Sequence, residues 1–331
     1  MTDRRHINSY LALFVAFAAG LVISGLFLQT RPLSYPNPLF LSSFADFDNW
    51  SFDGWLSKVT AIVLLLATAG ATVRTARRFS SGFCHFAPVF FMIVTAANPY
   101  SLMVSPFHPA ALLFIASIYY FFHFITIDHN ISQLFVSNLF LDLAVCFCPS
   151  LIWIAPFLMV MGLNLIEYKI KYIISHILSL ILPFVIMASV LYLRSGLDEA
   201  VTIFPQLARE ATHTGFSHIS VTLPVICRIL SVAVFAVAGA TVTIRNANRF
   251  KITKYEVYVR LMLLMVILTA TAAIFAGNTQ YPWSILTAIP LSILCNEIFN
   301  IENSVKDKQA WTVMIMMMLI MTVERITYFI K

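Results

Sequence analysis

The chain has 331 residues, of which 60% are apolar and only 11% charged, and its formal net charge is +6. Soluble domains carry roughly 45–50% apolar and about 25% charged residues, so a globule of this composition lacks the polar surface to cover itself in water. The positive charge does not signal nucleic acid, because the basic residues sit at the ends of apolar runs, where they set orientation in a bilayer.

Apolar runs cover approximately 9–29, 57–73, 84–99, 109–127, 131–147, 150–167, 172–193, 219–243, 257–276, 281–297 and 310–329. Each approaches the ~20 residues that span ~30 Å of hydrocarbon as a helix. The ~10-residue alternating strands of a membrane barrel are missing. The predicted fold is therefore all-α: one polytopic helical membrane domain over 1–331, with about eleven transmembrane helices.

The first run follows Arg4 and Arg5 like the start of a signal peptide. It is too long for one, and Gln29-Thr30-Arg31-Pro32 is no small-residue cleavage site, so an uncleaved first span is expected. The segment 30–56 then carries Asp46, Asp48 and Asp53 among Trp50, Trp55 and several Phe, the composition of an interfacial belt or surface helix. Run 57–73 ends in Arg74, Arg77 and Arg78, and run 109–127 begins at His108-Pro109. The runs 131–147 and 150–167 are short and meet at Cys148-Pro149, which predicts a tight hairpin or a re-entrant pair. A second long loop, 194–218, holds Arg194, Asp198, Glu199, Arg209, Glu210, His213 and His218.

Basic residues decide orientation. An N-terminus in the cytoplasm puts Arg74, Arg77, Arg78, Lys169, Lys171 and the Arg245–Lys254 cluster inside, and leaves Arg31, Lys58, Arg194, Arg209, Arg228, Arg325 and Lys331 outside. The expected location is the bacterial cytoplasmic (inner) membrane. Ala69-Gly-Ala-Thr-Val73 recurs as Ala238-Gly-Ala-Thr-Val242, each followed by basic residues and Arg-Phe. A parallel duplication would place both at the inner end of a span, and so would ordinary small-residue helix packing followed by topogenic arginines.

Few residues are candidates for chemistry. Asp142 lies within an apolar run, and an ionisable group at membrane depth is costly enough to be a functional candidate by default. Arg228 lies inside another run and is a pairing partner for it or a ligand group, unless it snorkels to the interface. Asp46 and Asp48 point the same way if the segment is extended, as a shared cation or a base-plus-metal site requires. His108 is placed either to contact a phosphate or to begin a helix whose first turn accepts Pro109. His123, Asp128 and His129 read as interfacial. The five cysteines (Cys84, Cys146, Cys148, Cys227 and Cys295) fit neither a disulfide framework nor a zinc site, and no metal centre is expected. No H-E-x-x-H, P-loop or dinucleotide glycine fingerprint occurs.

His108-Pro109-Ala-Ala-Leu-Leu-Phe through Tyr119-Tyr120-Phe121-Phe122, a polar turn, Leu134–Cys148 and Pro149-Ser-Leu-Ile-Trp-Ile-Ala-Pro156 follow one another in a hydropathy-and-proline pattern, with Leu180-Ile-Leu-Pro183-Phe beyond. Over about 100–195 this resembles the central helices of the GT-C class of polyprenol-dependent membrane glycosyltransferases. The whole chain also resembles a family of uncharacterised multi-spanning bacterial membrane proteins, which implies an architecture and no activity. The GT-C resemblance implies a catalytic acid early in the first outer loop. Thr30-Arg31-Pro32-Leu33-Ser34-Tyr35 has none, and the nearest matches are Asp46 and Asp48, displaced along the loop.

Three functional readings follow. The first is a non-catalytic cell-envelope membrane subunit of GT-C-like architecture, binding membrane lipids and partner membrane proteins; the Met-rich stretch Met314–Met318 suits adaptable packing. In the second, a polyprenyl-phosphate-sugar glycosyltransferase, Asp46 or Asp48 is the general base, a divalent cation assists, and Arg194, Arg209, Arg228 and His108 hold the lipid phosphate. The third is a secondary transporter, marked by Asp142 and by Pro183 and Pro290 within spans.

Overall fold

The computed structural model describes residues 2–27, 54–79, 85–128, 130–163, 169–198, 252–275, 283–299 and 304–330, with isolated helical positions between 201 and 241. Among these residues every regular element is helical. The elements are α1 (Thr2–Phe27), α2 (Trp55–Phe79), α3 (Phe86–Ala97), α4 (Phe107–His123), α5 (Ile131–Phe147), α6 (Ala155–Leu163), α7 (Lys169–Ser195), α8 (Ile252–Phe275), α9 (Ser284–Phe299) and α10 (Ser304–Ile330). Five stretches are long and apolar enough to cross a membrane: Trp55–Phe79, Phe107–Thr126, Ile170–Leu193, Tyr255–Ala272 and Trp311–Tyr328.

Local chemistry sets the element ends. Asn130 caps α5, its side chain accepting from the Ser132 backbone N–H at 3.0 Å. Arg77 and Arg78 lie in the last turn of α2, where cations meet the negative end of the helix dipole. Gly196, at φ 95°, ends α7 in the left-handed conformation, its N–H bonded to the Tyr192 carbonyl at 3.1 Å. The run 84–99 breaks at Asn98-Pro99. α3 is therefore only 12 residues, and a short 3-10 turn, Pro99–Leu102, leads towards α4. The run 150–167 opens with a second 3-10 turn, Pro149–Ile154, before α6.

Contacts fix the directions of the helices. Phe14 of α1 packs on Phe86 and Phe90 at the start of α3, whereas Leu21 and Ser24 of α1 reach Arg325, which also bonds the Ala96 carbonyl at the end of α3. Hence α1 and α3 run the same way. Ser57 accepts from the Val104 N–H, and Phe79 packs on Phe122, so α2 runs with α4. Ser101 and Ser284 join the start of α9 to the same end of the bundle, and Tyr100 meets Tyr328 of α10 there. This end is called the Arg325 end.

A turn of π-helix, Phe124–Asp128, carries α4 into the antiparallel α5, and the two are bonded at mid-height by the Ser137 hydroxyl donating to the Ser117 carbonyl at 2.8 Å. Tyr172 at the start of α7 stacks near Phe124, beside the start of α5, while Met187 meets Cys146 at its end. α5 and α7 are therefore parallel, in a register set by Cys146 and Met187.

The inside of the bundle holds α3, α4 and α9, and from Trp283 to Asn296 every residue is buried. The outer helices show one apolar face outward: Ile170, Ile174, Leu178, Ile181, Val185 and Leu193 on α7, Leu56, Val59, Val63 and Leu66 on α2, and Ile315, Leu319, Val323 and Ile326 on α10. The Met-rich stretch is divided between the two environments, with Met314 and Met317 buried and Met316 exposed.

Candidate functional site

Among the buried polar groups, two sets contain the residues singled out from sequence. The first is the connector between α3 and α4 at the Arg325 end. Buried non-helical backbone must have its polar groups satisfied within the fold, and here side chains do so. Asn98 accepts from the Tyr100 N–H at 3.0 Å, Ser57 takes the Val104 N–H at 3.0 Å, and the Ser101 and Ser284 hydroxyls are 3.0 Å apart. His108 closes the connector. Its Nε2 faces the Ser101 carbonyl at 3.0 Å and must donate, so Nδ1 is free to accept from the Ser105 N–H at 3.2 Å and hydroxyl at 2.9 Å. One neutral tautomer thus satisfies both nitrogens. Tyr100, in the same connector, loses solvation, which raises its phenol pKa.

The second place is the buried face of α5. Asn138 and Asp142, one helical turn apart, are each 1% exposed. Neither oxygen of Asp142 and neither polar atom of the Asn138 amide has a hydrogen-bond partner among the described residues. Threonines in α2 show the usual solution: Thr68, Thr72 and Thr75 each donate to the carbonyl four residues back, at 2.8–2.9 Å. Asp142 can donate in this way only as the neutral acid, never as a carboxylate. Leaving a carboxylate without solvent or partner is among the most expensive arrangements a fold can hold.

The buried stripe of α7 that faces the interior comprises Tyr172, His176, Ser179, Pro183, Met187 and Leu191. Counting back from the Cys146–Met187 contact, four residues descend about 6 Å on each helix. Asp142 thereby lies level with Pro183, and Asn138 with Ser179.

Of the residues singled out from sequence, Asp142 and His108 can be placed. His108 is 1% exposed with both nitrogens engaged inside the fold, and Asp142 is buried with no hydrogen-bond partner among the described residues. The structure does not bring them into hydrogen-bond contact. Asp46, Asp48, Arg209 and Arg228 lie outside the described residues. Arg194 falls in the last turn of α7, and its side chain lies outside them too. Arg325, expected at the outer surface, is 4% exposed and bonds the Ala96 and Leu21 carbonyls and Ser24 Oγ, tying α10 to α1 and α3. His123 is half-buried, and Cys146, Cys148, Cys227 and Cys295 are buried. No group of three His, Cys, Asp or Glu side chains is placed to hold a metal among the described residues.

Asn138 escaped attention in the sequence as a site residue, and Pro183 was noted there only as a proline within a span. The signal for Asn138 was its spacing of four from Asp142, which puts the two on one helix face.

No family model matches the chain, and searches of the curated proteins and of the solved structures find no match.

Proposed function

We propose that this chain is a multi-pass integral protein of the bacterial inner membrane, crossing it about eleven times with its N-terminus in the cytoplasm, and that it is a secondary transporter whose coupling ion engages Asp142 and Asn138. One observation carries the transport reading: a carboxylate and an amide, one turn apart and fully buried, have no partner among the described residues. Intramembrane carboxylates of this kind mark ion and substrate pathways. The alternation of helix ends at the Arg325 end and the apolar outward faces of α2, α7 and α10 support the multi-pass reading.

The polyprenyl-phosphate-sugar glycosyltransferase reading rests on Asp46, Asp48, Arg209 and Arg228, which lie outside the described residues, and on Arg194 and His108, of which His108 is engaged inside the fold; the cell-envelope subunit reading rests on a GT-C-like architecture and on Met314–Met318. The test uses membrane vesicles from cells producing the full chain, energised with an imposed proton or Na+ gradient and supplied with a mixture of cellular solutes. Mass spectrometry is expected to find at least one solute accumulating with the gradient in wild-type vesicles and not with Asp142→Asn. Equal accumulation in vesicles lacking the protein would overturn the transport reading.

A further inference from the structure

We propose that the ion bound between α5 and α7 is a dehydrated Na+, held by Asp142, the Asn138 side-chain oxygen and the backbone carbonyl of Ser179. This rests on the transport reading and names its ion. The third oxygen comes from a proline. Pro183 lies inside α7 and has no N–H, so the carbonyl four residues earlier, that of Ser179, loses its helical donor. Pro183 and Ser179 both belong to the buried stripe of α7, in the register that sets them level with Asp142 and Asn138. The Ser179 hydroxyl is already spent, donating to the His176 carbonyl at 2.8 Å.

The inventory of atoms selects the ion. By the register counted from Cys146 and Met187, two carboxylate oxygens, one amide oxygen and one carbonyl oxygen stand at one level of two adjacent helices, and the Asn138 amide nitrogen, a donor, stands outside this set. A proton would neutralise Asp142 and let it donate to one further oxygen, leaving the remaining acceptor without a donor, whereas a cation takes them together, as freed carbonyls in interrupted helices do in transporters. A single carboxylate balances one positive charge. A divalent ion would bring a surplus charge into an apolar interior and ordinarily takes several carboxylates. Four protein oxygens form a small shell, suited to Na+ rather than to the larger K+.

The experiment measures binding of radiolabelled Na+ to the purified full chain in detergent by scintillation proximity, with K+ as competitor. Wild type is expected to bind Na+ saturably, and Asp142→Asn to lose that binding while keeping the wild-type elution profile on size exclusion. Asn138→Ala is expected to raise the half-saturating Na+ concentration about tenfold. Pro183→Ala, which restores an N–H to the Ser179 carbonyl, is expected to weaken binding in the same direction while leaving α7 intact. Saturable binding unaffected by Asp142→Asn, or displacement by K+ as effective as by Na+ itself, overturns the proposal. The two readings fail separately. A proton-driven carrier that binds no Na+ leaves transport standing without this site, and Na+ binding with no gradient-driven accumulation leaves the site standing without transport.

Discussion

His108 illustrates how a residue's sequence position can mislead about its work. Its place at the head of an apolar run admits a phosphate contact, but the fold turns the ring inward to close the α3–α4 connector. Replacing it with Leu strands the Ser101 carbonyl and the Ser105 N–H, so thermal unfolding in detergent should show a loss of about 2 kcal/mol. A stability equal to wild type would mean the ring is not part of the connector. Asp142 should behave the other way round. In Na+-free buffer its unpaired carboxylate opposes folding, so Asp142→Asn is expected to raise the unfolding midpoint, and added Na+ should then stabilise wild type but not the variant. Asp142 was legible because a lone acid in an apolar run is conspicuous. Ser179 was not, since its contribution is a backbone carbonyl whose availability depends on Pro183 and on the register of two helices far apart in sequence.

Among the elements, the helices themselves follow from hydropathy, while their interruptions follow from local chemistry. The run 84–99 reads as one span, yet Asn98 accepting the Tyr100 N–H and Pro99 following it stop the helix at 12 residues. The predicted shortness of 131–147 and 150–167 matches a 17-residue α5 and a 9-residue α6 separated by a 3-10 turn. α6 stays beside α7 through one close approach. The Tyr172 hydroxyl donates to the Met159 carbonyl at 2.9 Å, and a Cβ at Gly162 would collide with that hydroxyl and its ring. Gly162→Ala should therefore cost about 1–3 kcal/mol, read from the thermal midpoint. Adding Tyr172→Phe should recover part of the loss, whereas strictly additive effects would show that the two residues do not touch.

For the molecule as a whole, orientation comes from charge, and the contacts show which helix ends lie together. Both lead to one labelling experiment. In intact cells an impermeant maleimide should modify Leu197→Cys, an exposed position just past α7, and should spare Ser132→Cys, exposed at the start of α5, until the membrane is opened. The reverse pattern would invert the topology. The arrangement also bears on the order in which the protein is made. α9 is buried from Ser284 to Asn296 and carries Ser284, Thr287, Ser292 and Asn296 there, yet it leaves the ribosome long after α3 and α4, the helices it packs against. Until it arrives, those earlier helices enclose an unfilled slot that lipid or an insertase must occupy. A late stage of assembly is then the entry of α9, with its buried hydroxyls and amide, into a waiting interior ahead of α10.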